Sequence, residues 1–362
     1  MSVNAAASRT ADFATADVVI IGDGVIGLST AIELCRAGAS CILVGARRDG
    51  SASEAAAGLL APSIGTLPEA VQPFFADSLD RYPAFVDSLR GFEPALRMVV
   101  GLIDVSADDS GAPRHAGARL TAADLAALEP GLSAAGGGRF YADDGAVDNV
   151  LLVRALHRAV EAAPEAHVLS GDPVTSIELS GRPGRVLLAS GRILSSGAIV
   201  LAAGAWSAQI GGLPRPLPVT PLKGQMLAVA STALTYSVMS EDVYIVPRAS
   251  ELAIGATVER AGFDVGTSAE AIEQLRRAAI DVCPAIEGAQ VIRTWAGIRP
   301  ATPDMLPIIG ADPSDPRLIY ACGHSKNGIL LAPATAVAVA ALATGARPSA
   351  DLASFSIRRF DN

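Results

Sequence analysis

The chain has 362 residues, half of them apolar, and a formal net charge of −9. A chain of this length usually forms more than one domain, and its apolar content suffices for a large core. The negative charge and the lack of a Lys/Arg block disfavour nucleic acid as a partner. The four cysteines lack zinc-site spacing and are predicted to be small core residues in a reducing compartment. We therefore expect a cytoplasmic protein without a metal site.

Two segments bear on targeting and on membranes. Residues 1–16 are rich in Ala, Ser and Thr without an apolar stretch, which predicts a disordered leader rather than a signal peptide. Residues 328–346 carry no charge and are long enough to cross a membrane. Pro333 interrupts this run and small residues dominate it, so a helix buried against a sheet is the better interpretation. We expect no membrane partner.

The first predicted elements after the leader form a βαβ unit. Residues 17–21 are predicted to be a short buried strand, and Leu28–Ala37 a helix that Gly38 closes as its C-cap. Residues 40–44 are predicted to be a second buried strand. This order of elements is typical of a nucleotide-binding half-domain.

The rest of the chain alternates between helical and strand patterns. Apolar periodicity predicts three further helices: near 71–89, at 149–162 after the N-cap Asp148, and at 268–282. Short strands are predicted at 174–179, 185–189, 192–194, 198–203, 217–229, 242–246, 253–255 and 317–322. Residues 111–117 and 136–138 are predicted loops, and an apolar helix follows Asn327. Without an internal repeat or a linker, the domains are predicted to be interleaved.

The motif Gly22-x-Gly24-x-x-Gly27 joins the first strand to the first helix. Gly22 permits the tight turn, Gly24 lets a pyrophosphate approach the backbone, and Gly27 lets helix and strand pack closely. N–H groups at the helix N-terminus favour the phosphate charge. The motif therefore predicts a dinucleotide site. A glycine-rich turn without a ligand is the alternative.

One element of such a site is missing from the sequence. The second strand should end in Asp or Glu, which binds the adenosine ribose, but this chain has Gly45, followed by Ala46, Arg47 and Arg48. The two arginines suit the 2′-phosphate of NADP, or they are solvated loop residues. These residues alone do not separate FAD from NADP.

Seven later segments are spread over nearly the whole chain: Ser51–Leu60, Val200–Ser207, Pro221–Gln225, Tyr244–Arg248, Gly255–Thr257, Trp295–Pro300 and Gly323–Leu330. In sequence and in order, these segments resemble the D-amino-acid oxidase superfamily, and within it the glycine oxidases. This resemblance favours FAD over NADP. It implies oxidation of glycine or an N-substituted glycine at the α-carbon, with hydrolysis of the imine and reoxidation by O2 to H2O2.

The resemblance also implies the architecture and the cofactor contacts. We expect an α/β fold in which a Rossmann-type FAD-binding domain is interleaved with a substrate domain built on a mainly antiparallel sheet with helices. The FAD-binding domain would comprise 17–75, 140–215 and 300–350, the substrate domain 76–139 and 216–299, and a C-terminal tail 351–362. The expected contacts to non-covalent FAD are Gly22, Gly24, Val25, Ile26, Gly27, Ala46, Arg47, Ser51, Ala56, Ala57, Gly58, Leu59, Val174, Ala203, Gly204, Trp206, Arg299, Asn327, Gly328 and Ile329.

Three residues are predicted to act on the substrate. Arg299 matches the carboxylate-binding arginine of the superfamily, and its planar guanidinium suits a bidentate contact. Tyr244 would donate a hydrogen bond from its hydroxyl group to the same carboxylate. Lys326 would assist at the flavin or line the substrate entrance. The alternatives are a structural ion pair for Arg299, a core aromatic for Tyr244 and a helix-capping surface lysine for Lys326.

Other positions bear on the chemistry or depart from the superfamily pattern. Lys223 is predicted to be structural, and His324 to position its surroundings rather than to transfer protons. Asp242 stands in place of a histidine, Val258 in place of a pocket methionine and Lys326 in place of an arginine, which leaves the amine substituent open. The expected partners are a small amino acid or N-substituted glycine and O2, with a possible homo-oligomer. A dehydrogenase that passes electrons to a carrier, or the flavoprotein subunit of a larger complex, remains the alternative.

Overall fold

A computed structural model describes residues 15–65, 67–105, 117–133 and 136–361. Leader residues 1–14 and most of the predicted loop 111–117 lie outside these residues. The strands are β1 (Thr15–Ile21), β2 (Cys41–Gly45), β3 (Leu59–Leu60), β4 (Met98–Asp104), β5 (Ala118–Leu120), β6 (Gly138–Val147), β7 (Ala166–Ser170), β8 (Val174–Glu178), β9 (Gly184–Leu188), β10 (Ile193–Leu201), β11 (Thr220–Val229), β12 (Ser237–Met239), β13 (Tyr244–Pro247), β14 (Leu252–Gly255), β15 (Val291–Ala301), β16 (Ile308–Ala311) and β17 (Leu318–Cys322). The α-helices are α1 (Val25–Arg36), α2 (Ala52–Ala55), α3 (Gln72–Asp80), α4 (Tyr82–Leu89), α5 (Ala122–Leu128), α6 (Asn149–Ala162), α7 (Ala269–Val282) and α8 (Gly328–Ala343).

The first sheet has the order β16-β17-β10-β1-β2-β7, and β9 and β8 extend it antiparallel from β10. Its central strands β17, β10, β1, β2 and β7 are parallel neighbours. Both faces of β1 are covered. Val18 and Ile20 pack in the cluster with α1, α6 and α8, whereas Val19 and Ile21 pack toward β8, β9 and the C-terminal segment. A continuous apolar run such as Val18–Ile21 is typical of a parallel strand buried on both sides.

The second sheet has the order β15-β11-β14-β13-β12-β4-β6-β3, with β5 beside β6. All of its pairs are antiparallel except β12 with β4. The predicted α/β fold, with one sheet centred on parallel strands and a second, mainly antiparallel sheet, is confirmed. The chain passes repeatedly between the two sheets, and the domain boundaries given above stay a prediction.

Several element boundaries differ from the predicted ones. β1 begins at Thr15 instead of residue 17, because Thr15 and Ala16 pair with Ser195 and Ser196 of β10. α1 begins at Val25 instead of Leu28, so Gly27 lies inside the helix. The predicted strands at 192–194 and 198–203 are parts of one long strand, β10. Gly138, a predicted loop residue, begins β6.

Two further differences concern helical regions. The pattern near 71–89 is two helices rather than one, and Pro83 lies in the first turn of α4, where a missing N–H is tolerated. The predicted C-terminal tail is packed against the first sheet, since Phe355 and Ile357 are buried. By contrast, the N-caps Asp148 of α6 and Ser268 of α7 each accept backbone N–H bonds, so both helix starts are close to prediction.

The apolar segment near the C-terminus forms α8, which lies against α1 and α3 beside the first sheet. Within the described residues, Ser325–Ala343 is the one helical run long and apolar enough to span a membrane, and 61% of its most apolar stretch is buried inside the protein. Pro333 lies inside it. The prediction of a helix buried against a sheet is confirmed.

Candidate active site

A cavity of about 860 Å3 lies between the two sheets. On one side, its walls are the carboxyl ends of β1, β2, β10 and β17, the edge where open α/β sheets bind ligands. On the other side, it is bounded by residues of β11, β13 and β15. The cavity therefore connects the glycine-rich turn to the antiparallel sheet, as a site that joins a dinucleotide to a small substrate requires.

The residues predicted from the sequence converge on this cavity. Every predicted contact except Gly27 lines it, including Arg299, Tyr244 and Lys326. Gly27 has a packing role instead, since a Cβ there would lie 1.9 Å from the backbone oxygen of Gly22. A Cβ at Gly22, which has a φ of +116°, would lie 2.3 Å from the backbone oxygen of Ala202. Both glycines are required by close backbone approach in the turn between β1 and α1.

Two helix N-termini meet the cavity. α1 begins after Gly24, and α8 begins after Asn327; neither helix has an acidic residue in its first turn, and among the described residues the one side-chain contact to these termini is the neutral Ser53 hydroxyl, which accepts from the Val25 N–H (3.0 Å). The partial positive charge of each N-terminus is therefore free to act on negative charge. A pyrophosphate near α1 and the pyrimidine edge of a flavin near α8 suit these termini. The arrangement fits FAD.

The segment from Ser51 to Leu59 is held in place by side chains from other elements. The Asn149 amide donates to the backbone oxygens of Ser53 (2.7 Å) and Glu54 (2.9 Å). Its oxygen accepts from Arg248 (2.7 Å), which also donates to Ala56. The Trp295 indole donates to the backbone oxygen of Ala55 (2.9 Å). Asn149 was not among the predicted site residues, because no local pattern links it to a segment about 95 residues earlier.

Arg299 and Tyr244 project from different strands of the second sheet toward the same region. Arg299 on β15 lies opposite Leu222 of β11, and Tyr244 on β13 lies opposite Gly255 of β14. A Cβ at Gly224 would come within 2.4 Å of the Arg299 guanidinium, and one at Gly255 within 2.5 Å of the Tyr244 hydroxyl. Both side chains thus lie over a glycine of the neighbouring strand.

The electrostatic surroundings of these two residues suit an anionic ligand. The Arg299 guanidinium donates to the backbone oxygens of Thr257 (3.0 Å) and Lys223 (3.4 Å). No carboxylate among the described residues forms an ion pair with it. Burial raises the pKa of Tyr244, and the charge and hydrogen bond of Arg299 offset this only in part. Tyr244 is therefore a neutral hydroxyl donor beside an unpaired guanidinium.

Lys223 supports the loop that carries Thr257. The Lys223 ammonium is buried, forms an ion pair with Asp264 and lies 3.9 Å from Glu259. Glu259 accepts from Gln225 (2.8 Å) and from Thr257 (2.5 Å). These contacts fix the strand-to-loop segment whose backbone oxygen binds Arg299. The structure thus agrees with the predicted structural role of Lys223.

Residues near the start of α8 form another wall of the cavity. His324 is buried, its Nε2 lies 3.2 Å from the Thr335 hydroxyl, and burial lowers its pKa to about 3. It is therefore neutral at physiological pH, in line with a positional role. Lys326 is exposed, and the structure gives it no side-chain hydrogen bond or ion pair to a described residue. This arrangement favours a place at the entrance.

The remaining departures from the superfamily pattern lie at different places. Val258 lines the cavity while 71% exposed, which places it at the opening. Asp242 is exposed and is not among the lining residues, so it does not contribute to the polarity of the cavity wall. Trp206 lines the cavity and stacks on Phe263, with ring centroids 5.4 Å apart.

Comparison with known proteins identifies the family of this chain. The profile of the FAD dependent oxidoreductase (DAO) family matches residues 17–342. The glycine oxidase of Pseudomonas putida is 33% identical over 357 residues, which cover 94% of this chain and 97% of that protein. The crystal structure of glycine oxidase from Geobacillus kaustophilus superposes with a TM-score of 0.87 at 31% identity, covering 95% of this chain and 99% of that one. That of iminodiacetate oxidase from Chelativorans sp. BNC1 gives 0.84 at 26% identity, covering 94% and 98%.

These matches confirm the predicted FAD cofactor, and they resolve the choice between FAD and NADP that the residues around Gly45 left open. The chain belongs to the FAD dependent oxidoreductase (DAO) family and is an FAD-dependent amine oxidase of the glycine oxidase type.

Proposed function

We propose that this enzyme oxidises the Cα–N bond of glycine or of an N-substituted glycine. The observation that carries the proposal is the Arg299 guanidinium in the cavity, without a carboxylate partner among the described residues and beside the neutral Tyr244 hydroxyl. An α-amino acid supplies the missing carboxylate. The names of the related proteins, glycine oxidase and iminodiacetate oxidase, support a substrate with this carboxylate and an α-amine.

The protein's own residues contribute binding and orientation. Arg299 would hold the substrate carboxylate through two parallel charge-assisted hydrogen bonds, and Tyr244 would donate a third. With the carboxylate fixed, the α-carbon has one orientation in the cavity. This orientation lowers the free-energy barrier to hydride transfer, because the reacting C–H bond is already positioned. We assign no general base, because His324 is neutral, buried and bonded to Thr335. The substrate amine must enter neutral, so its nitrogen lone pair can form the imine.

When bound, FAD would supply a hydride acceptor for the α-carbon and a route for the electrons to O2, which gives H2O2. Water then hydrolyses the imine, so glycine, O2 and H2O give glyoxylate, ammonia and H2O2. The backbone N–H groups of Gly328 and Ile329 at the start of α8 would stabilise negative charge on the cofactor, whereas the N–H of Asn327 donates to the backbone oxygen of His324 (2.9 Å). Lys326 would assist there or interact with substrates at the entrance.

The N-substituent has room at the cavity opening. Val258, where the superfamily pattern has methionine, is small and 71% exposed. Each methylene of a longer substituent that becomes buried would add about 0.8 kcal/mol of binding. The similarity to an iminodiacetate oxidase, whose named substrate is an N-substituted glycine, supports this preference over glycine itself. Lys326 would then face the polar end of such a substituent.

The experiment is to assay the purified protein for H2O2 with glycine, sarcosine, N-ethylglycine, iminodiacetate and D-alanine. The proposal expects O2-dependent peroxide with the glycines and a kcat/KM that rises with the N-substituent. Turnover with an artificial dye alone would favour the carrier-linked dehydrogenase, and activity only with added subunits would favour the complex. A steady fall of kcat/KM with substituent length would restrict the enzyme to glycine.

The remaining expectations about the protein belong to the same proposal. We propose non-covalent FAD, a cytoplasmic location and a homo-oligomer as the form to test. Cys322 lines the cavity, but burial raises the pKa of its thiol to about 12, which makes it a poor nucleophile. FAD should therefore be released by acid or heat. A flavin that stays with the precipitated protein would contradict non-covalent binding.

A further inference from the structure

The end of β2 contains an unusual pair of residues. β2 ends at Gly45, the position where a dinucleotide-binding domain places the Asp or Glu that binds the adenosine ribose. A Cβ built on Gly45 would lie 2.0 Å from the Oδ2 atom and 2.3 Å from the Cγ atom of Asp23. The Asp23 carboxylate therefore fills the space that a side chain at position 45 needs.

Asp23 lies inside the glycine-rich motif, between Gly22 and Gly24. Its side chain is half-buried and lines the FAD cavity. The structure gives its carboxylate no hydrogen bond or ion pair with another described residue. A half-buried carboxylate without a partner is costly unless a ligand supplies donors. This residue is thus an acceptor directed into the cavity at the end of β2.

We propose that Asp23 replaces the missing acid of β2 and binds the adenosine ribose hydroxyls of FAD. The acceptor comes from the turn before α1 rather than from the end of β2, and the absence of a side chain at Gly45 makes room for it. The same negative charge repels a 2′-phosphate, which explains why Arg47 and Arg48 do not create an NADP site. The proposal rests on the family's FAD binding and not on the identity of the amine substrate.

The first test measures FAD affinity rather than activity. The full-length protein is stripped of flavin and titrated with FAD, with flavin fluorescence as the readout. Asp23→Ala should raise the Kd for FAD about 10- to 100-fold, the range expected for lost hydrogen bonds to a charged acceptor. Asp281→Ala, at an exposed acidic residue that does not line the cavity, is the matched control and should leave the Kd within about twofold.

A ligand-side comparison separates ribose binding from a structural role. The wild-type protein should bind FAD more tightly than an analogue with 2′-deoxyadenosine, and Asp23→Ala should bind the two alike. A purely structural role would weaken both ligands equally and keep their ratio. An unchanged ratio in Asp23→Ala, or an FAD Kd within twofold of wild type, overturns the proposal.

A rescue variant tests whether a carboxylate at position 45 can replace the one at position 23. Of the three atoms nearest to an ideal Cβ at Gly45, Asp23→Ala removes the Oδ2 and Cγ atoms, at 2.0 and 2.3 Å, and keeps the Cβ atom at 2.9 Å. Adding Gly45→Glu to this background should recover at least about tenfold in FAD affinity. Gly45→Glu alone should weaken binding, because it crowds Asp23 and places two carboxylates together. A double variant that binds FAD no better than Asp23→Ala contradicts the proposal.

Discussion

The Arg299 guanidinium lies directly over Gly224 of the neighbouring strand, and a Cβ at Gly224 would come within 2.4 Å of both terminal nitrogens of Arg299. The carboxylate-binding group of the site thus depends on two strands. β15 supplies the side chain, and β11 supplies the gap in which it lies. The backbone oxygen of Thr257 then fixes the guanidinium orientation at 3.0 Å.

Replacing Arg299 by alanine should impair substrate use without removing FAD. We expect a loss of about 2–5 kcal/mol in kcat/KM, the usual effect of truncating one partner of a desolvated charge pair. Arg299→Lys should retain only part of the wild-type kcat/KM, because an ammonium cannot form two parallel hydrogen bonds with a carboxylate. Steady-state kinetics and the flavin absorbance check this. Loss of FAD, or near-normal kinetics, would show that Arg299 has another role.

Gly224→Ala should act on the same group from the opposite strand. The new Cβ displaces the guanidinium, and misplacement of a positioning group by about 1 Å lowers kcat/KM by roughly 10- to 100-fold. FAD content should not change. Gly288→Ala is the matched control, because a Cβ there has nothing within 4 Å. If both variants have wild-type kinetics, the overlap of Gly224 and Arg299 does not matter for catalysis.

The parts of the site encoded locally were predictable, and those that depend on strand register were not. The turn at Gly22–Gly27 and the N-cap Asp148 have short-range patterns, so the sequence indicated them. The contact of Asn149 with residues 53–54 joins positions 96 and 95 residues apart. Nothing local marks such a pair. Tyr244 and Arg299 were identified through the resemblance, whereas the glycines beneath them emerge only once β11, β13, β14 and β15 are aligned.

Gly27→Val should yield protein that carries little FAD. The side chain would enter the space where the backbone oxygen of Gly22 lies, 1.9 Å from an ideal Cβ, so the phosphate-binding turn must open. The flavin-to-protein absorbance ratio of the purified variant is the measurement. Gly91→Ala, at an open position, is the control for a glycine substitution without steric conflict. A wild-type flavin ratio in Gly27→Val would contradict the packing role.

Asp144 should make stability depend on pH between about 4 and 6. Burial raises the pKa of its carboxyl to about 6, while hydrogen bonds from Ser63 favour the ionised form. A raised folded-state pKa means that the native state holds the proton more tightly. The stabilisation is fully present below the unfolded pKa of about 4 and is lost as pH rises through 6, by roughly 3 kcal/mol.

Asp144→Asn isolates this contribution, because the amide keeps the shape and cannot ionise. The variant should be more stable than wild type at pH 7, and its free energy of unfolding should vary less between pH 4 and 6. Urea denaturation at each pH gives both quantities. The assigned titration is wrong if the free energy of unfolding of the wild-type protein increases from pH 4 to 6 and that of Asp144→Asn increases by the same amount.

The last prediction concerns how α8 tolerates Pro333. A proline lacks an N–H, so the backbone oxygen of Ile329 has no intrahelical donor four residues later. The buried Tyr82 hydroxyl donates to that oxygen instead. In the same turn, the Ser78 hydroxyl donates to Leu330 (2.7 Å) and accepts from Ala334 (3.2 Å). α3 and α4 thus complete the hydrogen bonding of the helix whose N-terminus faces the cavity.

Tyr82→Phe should therefore lower the free energy of unfolding by about 1–3 kcal/mol, the cost of a buried carbonyl left without a donor. The packing against Phe85, at a ring-centroid distance of 5.7 Å, is retained by the phenyl ring. In a Pro333→Ala background, the restored N–H of residue 333 can donate to the backbone oxygen of Ile329. The same Tyr82→Phe change should therefore lower the free energy of unfolding by a clearly smaller amount. Urea denaturation of the four proteins in this cycle gives the coupling. Equal costs in the two backgrounds would mean that Tyr82 stabilises the protein independently of Pro333.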